Sequence, residues 1–94
     1  DLSQSNLSGA DLSDARLDFA DMSGCDMRGV DLSGASLVET SLWNADLRGA
    51  DLSRCKNIVM ANLRRARYDR STRWPAGFDP SSQGAVSDSQ AGRR

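Results

Sequence analysis

The sequence predicts an all-β solenoid whose backbone turns a corner every five residues. Three observations carry this: a Leu or Met at every fifth position, a small residue two places before it, and Gly or a small polar residue two places after it. The first series runs Leu2, Leu7, Leu12, Leu17, Met22, Met27, Leu32, Leu37, Leu42, Leu47 and Leu52. The second includes Ala10, Ala15, Cys25, Val30, Thr40 and Ala50, and the third Gly9, Gly24, Gly29, Gly34 and Gly49.

A period of five excludes the common elements. On an α-helix each step of five rotates by about 140°, which would scatter the Leu residues around the axis. On a continuous strand an odd period sends successive Leu residues to opposite faces. A chain that bends after every unit satisfies the pattern, with the central Leu pointing inward on each short side. The small residue before it also points inward, near the corner. Gly after it suits a turn that needs positive φ. Asp or Asn directly before the Leu, as in Asn6, Asp11, Asp21 and Asp46, faces water, where its side chain can bond nearby backbone N–H groups.

The recurring Ala-Asp-Leu-Ser, as in Ala10–Ser13 and Ala50–Ser53, resembles the pentapeptide-repeat family over residues 1–73. The resemblance implies a right-handed quadrilateral β-helix of about four coils, with four units per coil. Residues twenty apart then stack in columns, such as Leu12, Leu32 and Leu52, at the strand spacing of about 4.8 Å.

After Leu52 the frame slips by one, because Leu63 and Tyr68 are in phase with Ile58. The segment Cys55–Ile58 therefore holds one extra residue, expected as a bulge at a corner. Residues 74–80, Trp-Pro-Ala-Gly-Phe-Asp-Pro, break the pattern. They read as a plug over the end of the prism or as a linker to a following domain, and they resemble the closing segment of many cyanobacterial pentapeptide-repeat proteins. Residues 81–94, rich in Ser, Gln, Gly and Arg, read as a disordered tail. Nothing comparable closes the other end, so end-to-end self-association is an expectation. The chain opens at Asp1 in mid-repeat, as a processed or excised piece of a longer protein would.

Composition bounds the chemistry. The 94 residues carry a net charge of −1 and no His. No membrane-spanning stretch is visible. Cys25 and Cys55 fall at small inward positions on different coils and opposite faces, so they read as packing thiols and not as a disulfide. No catalytic set, phosphate loop, metal cluster or cofactor motif appears, which points away from an enzyme.

The charge is split. Residues 1–53 hold ten acids against Arg16, Arg28 and Arg48, a balance of −7, while residues 54–94 balance at +6. The acidic half permits two readings: a nucleic-acid mimic that binds DNA gyrase or topoisomerase, as the resemblance implies, or Asp that simply belongs to the repeat. The second is preferred, and direct nucleic-acid binding is not expected. Candidate interaction residues are Phe19 and Trp43, which should face outward on neighbouring sides, and the basic run Arg64, Arg65 and Arg67. The expected function is a non-catalytic scaffold or protein-binding module.

Overall fold

The computed structural model describes residues 2–87. Parallel bridges join residues twenty apart: Asn6 to Asp26, Asp11 to Asp31, Arg16 to Ser36, Asp21 to Ser41 and Asp26 to Asp46. This register means four sides per coil, and the chain forms a right-handed quadrilateral β-helix just short of four coils.

Most corners are built the same way. The N–H of the small residue returns to the carbonyl of the preceding Leu or Met, as in Ala10 to Leu7 (2.9 Å) and Ala35 to Leu32 (3.0 Å). The residue two after the Leu takes positive φ, for example Gly9 at 72° and Gly49 at 74°. These are the requirements of a type II turn. Asp or Asn before the Leu completes it: Oδ1 of Asp11 accepts from Ser13 N (3.0 Å), and Asp21, Asp31 and Asp51 do the same for Ser23, Ser33 and Ser53.

The inward residues fill the prism. Met22, Met27, Leu32, Leu37, Leu42, Leu47, Leu52 and Leu63 are fully buried, and among the described residues no cavity is left. Each such side chain contributes roughly 1.5–3 kcal/mol of burial. At small inward positions, Thr40 Oγ1 donates to Leu17 O (2.7 Å), and Cys25 Sγ donates to Leu2 O (2.9 Å). These bonds tie one coil to the one above.

The extra residue in Cys55–Ile58 is Asn57. Lys56 still pairs with Ser36, but Asn62 pairs with Ser41, so the register grows from 20 to 21 between them. Asn57 takes φ 63°, and Ile58–Met60 closes as a single 3₁₀ turn that keeps Ile58 buried.

The end of the solenoid differs from expectation. Arg73 pairs with Asp51, a register of 22, so a second extra residue lies between Arg67 and Arg73. Thr72 then fills the small inward slot, with Oγ1 donating to Leu47 O (2.9 Å), and Trp74 takes the central slot below Leu52. Trp74 is thus the last repeat residue as well as the start of the closing segment. Asp69 holds the lengthened corner: its Oδ1 accepts from Ser71 N (3.0 Å), Ser71 Oγ (2.8 Å) and Gly49 N (3.2 Å). Tyr68, Trp74 and Phe78 pack across the end, Tyr68 edge-to-face on Trp74 (centroids 5.6 Å apart) and Phe78 tilted against it (5.4 Å).

The expected disordered tail is also corrected. Pro80–Gln83 forms a 3₁₀ turn capped by Asp79, and strand β2 (Val86–Ser87) pairs in parallel with β1 (Arg67–Tyr68). Ala85 and Val86 repeat the small-then-strand pattern of a side, and Gly84 O, which accepts from Arg65 N, and Val86 N, which donates to Ala66 O, satisfy backbone groups that the last coil would otherwise leave open. The rest of that expected tail, 88–94, lies outside the described residues.

Candidate functional site

The outward positions divide into groups that the fold engages internally and groups that it leaves open. The stacked acids belong mainly to the first. Asp11, Asp31 and Asp51 form one column and Asp26 and Asp46 another. Hydrogen bonds from the Ser13 and Ser53 hydroxyls and N–H groups hold Asp11 and Asp51 below the usual carboxylate range. Arg28 folds back on Asp26 through Nε (2.9 Å) and Nη2 (2.7 Å) and lowers its pKa to about 2. Arg48 folds back on Asp46 in the same way, through Nε (2.8 Å) and Nη2 (2.6 Å). Burial pushes Asp46 up, but the Arg48 bonds and the Arg48 and Arg67 charges outweigh it. Local bonding therefore answers the repulsion expected of stacked carboxylates. Among the described residues no metal-binding group of three or more acids or Cys occurs.

The thiols are internal too. Cys25 is buried, Cys55 is half-buried, and both are free. Burial raises both pKa values, that of Cys55 to about 11, which keeps it in the unreactive thiol form.

Trp43 and Phe19 are open. Trp43 follows Leu42 and is 41 % exposed. Directly below it stand Arg64 and Arg65, with Asn44 N donating to Arg64 O (3.0 Å). The Arg65 guanidinium lies 5.8 Å from the Trp43 ring centroid, a cation–π contact. Arg65 has φ 64°, and its N–H donates to Gly84 O (2.9 Å), so the segment before β2 holds this corner in place. Arg67 lies on the next side, bridged to Asp46 above and paired with Val86 below.

Phe19 sits at a different corner, 75 % exposed, at φ 64°, with Glu39 in the same slot of the next coil at φ 55°. Val59 and Met60, 66 % and 48 % exposed, follow Ile58 on the same side of the prism. Sequence reasoning missed this pair. Carrying the frame through Asn57 would have placed them at outward turn positions. The structure thus brings together Trp43, Arg64 and Arg65, puts Arg67 beside them, and keeps Phe19 apart. Among the described residues no helix is long and apolar enough to cross a membrane.

Comparison with known proteins agrees with this architecture. A family model for pentapeptide repeats, in eight copies, matches residues 1–34 and 31–67. The crystal structure of alr5209, a pentapeptide repeat protein from Nostoc Pcc 7120, aligns with TM-score 0.55 and 35 % identity. That alignment covers 93 % of this chain and 75 % of the other. AT2G44920, a pentapeptide repeat protein from the Arabidopsis thaliana thylakoid lumen, aligns with TM-score 0.59 and 25 % identity. It covers 89 % of this chain, which spans 62 % of that one. No curated protein matches the chain. The pentad ladder, the square register and both neighbours agree, and the chain belongs to the pentapeptide-repeat family.

Proposed function

We propose that the protein is a non-catalytic protein-binding module, a rigid prism that presents an aromatic–cationic corner to a partner. The observation that carries this is Trp43, exposed on a side fixed by backbone bonds above and below, with Arg65 stacked on its ring. Trp and Arg are the residue types that dominate protein–protein contacts. A prism filled by Leu and Met offers a partner its surface and not an internal pocket. The family is generally structural or binding in character, which agrees with this reading. The stacked carboxylates, engaged in their own turns, give no observation that favours the nucleic-acid mimic.

The test is affinity capture with the wild-type chain beside Trp43→Ser and Phe19→Ser. A partner held by wild type and by Phe19→Ser but lost on Trp43→Ser supports the reading. Partners retained equally by all three chains would refute it.

A further inference from the structure

Arginines that follow a central Leu or Met differ in one neighbour, and that neighbour decides their charge balance. Arg28 and Arg48 each stand two residues after an Asp and close back on it. Arg64 stands in the same slot, but Asn62 replaces the Asp. The Asn62 Oδ1 still accepts from Arg64 N (3.1 Å), so the turn is intact while the cation is left uncompensated. Arg65, at the corner, rests on Trp43. Arg67 and Arg73 differ again, because each lies directly below a carboxylate, Asp46 or Asp51. Among the described residues no carboxylate forms an ion pair with Arg64 or Arg65. Their backbone is nevertheless fixed, and the Arg64 stem packs against Gly84.

The geometry points to a short acidic segment of a partner protein as the occupant of this corner. Two carboxylates would meet the two guanidiniums, where bidentate pairing is strongest, and an apolar side chain would cover the open part of the indole. The assignment rests on the protein-binding reading above. The patch is too small for an extended polyanion. It offers one indole and two uncompensated cations, and it is bounded by Asp21 on its own side and by the Asp26–Asp46 column on the next. A nucleic-acid strand or an anionic bilayer would meet those acids as soon as it extended past the corner.

The experiment is fluorescence anisotropy with a short fluorescein-labelled peptide of Glu, Leu and Ser. Its Lys-for-Glu counterpart, a single-stranded oligonucleotide and phosphatidylglycerol vesicles serve as comparison probes. The acidic peptide should bind more tightly than the other three and weaken with added salt. It should lose about tenfold in affinity with Arg64→Asn/Arg65→Asn and with Trp43→Ser. Arg28→Asn, which also removes one cation, should change the affinity less than about twofold, and thermal melts of each variant report folding. No binding of the acidic peptide at millimolar concentration, equal loss in Arg28→Asn, or tighter binding of the oligonucleotide or vesicles would overturn the assignment. If capture of a protein still depended on Trp43 in that case, the binding-module reading would stand without it.

Discussion

At the scale of single residues, the turn sets conditions that individual side chains meet or strain against. At most corners the position two after the central residue takes positive φ, and Gly meets that freely. Phe19 does not, since an L side chain in the left-handed region costs roughly 1–2 kcal/mol. Phe19→Gly removes that cost and adds about 0.5–1 kcal/mol of chain entropy to be lost on folding. The variant should therefore be at least as stable as the wild type in urea denaturation, with a midpoint equal or higher. A lower midpoint would mean that the exposed ring packs against something that its exposure does not show. Thr40 gives the opposite case. Its hydroxyl is fully buried and donates to Leu17 O, so Thr40→Val keeps the shape and removes the donor. A loss of about 1 kcal/mol in the same assay is the expected result, because Leu17 O keeps its turn bond from Ala20 N. The inward-small and outward-Asp roles were legible from sequence because five-residue spacing alone assigns them. The coil-to-coil bonds of Thr40 and Cys25 were not, since they depend on which carbonyl stands above each slot.

At the scale of one side and its corner, stability should depend on acid. Asp26 has its pKa lowered to about 2, and Asp11, Asp21 and Asp51 are also held below their ordinary value by bonds in their own turns. A depressed carboxyl stabilises the fold above its unfolded pKa, and that contribution is lost as pH falls through the folded one. Stability measured by urea unfolding should be level above about pH 5 and fall between about pH 4 and 2. Asp11→Asn should flatten part of that fall, because Asn6 and Asn62 show that an amide oxygen makes the same turn bond. The two extra residues show where sequence reading works and where it fails. The first was legible because Leu47 and Leu52 keep the old phase before it and Ile58, Leu63 and Tyr68 keep the new one after it. The second was not, because Trp74 and Thr72 stand in repeat slots with a spacing of six and no later Leu confirms it. Deleting Asn57 tests the first directly. It returns Lys56 and Ile58 to adjacent slots, so the variant should stay folded and unfold in one transition, at a cost of about 1 kcal/mol for forcing a non-Gly residue such as Met60 toward positive φ. A circular dichroism spectrum without the β-helix signal would show that the bulge is required and not merely accommodated.

At the scale of the whole molecule, a solenoid is nearly one-dimensional: each coil gains its burial from the coils beside it. The middle of this chain has neighbours on both faces, and its central residues from Met22 to Leu52 are fully buried. The first described coil is covered on one face only; Leu2 is 42 % exposed and Leu7 and Leu12 are partly covered. The last coil is closed by Tyr68, Trp74 and Phe78 and by β2, a device that no periodicity announces because Ala85–Val86 are separated from the repeats by an irregular stretch. That asymmetry makes an order of opening. Amide hydrogen exchange should protect residues 22–52 most, at the free energy of global unfolding, and residues 2–20 least. The amides of Arg65 and Val86 should lie between them, because they exchange when the closing segment lifts, without any coil unstacking. Gly84→Ala separates these events. It places a Cβ 3.1 Å from Arg64 Cγ at a backbone φ of 90°, which strains β2 and leaves the upper coils untouched. Protection should then fall at Arg65 and Val86 while the amides of Leu32 and Leu42 keep their wild-type rates. A uniform loss across the chain would mean that the closing segment and the coils open as one unit, and that the nearest-neighbour picture does not hold for a prism this short.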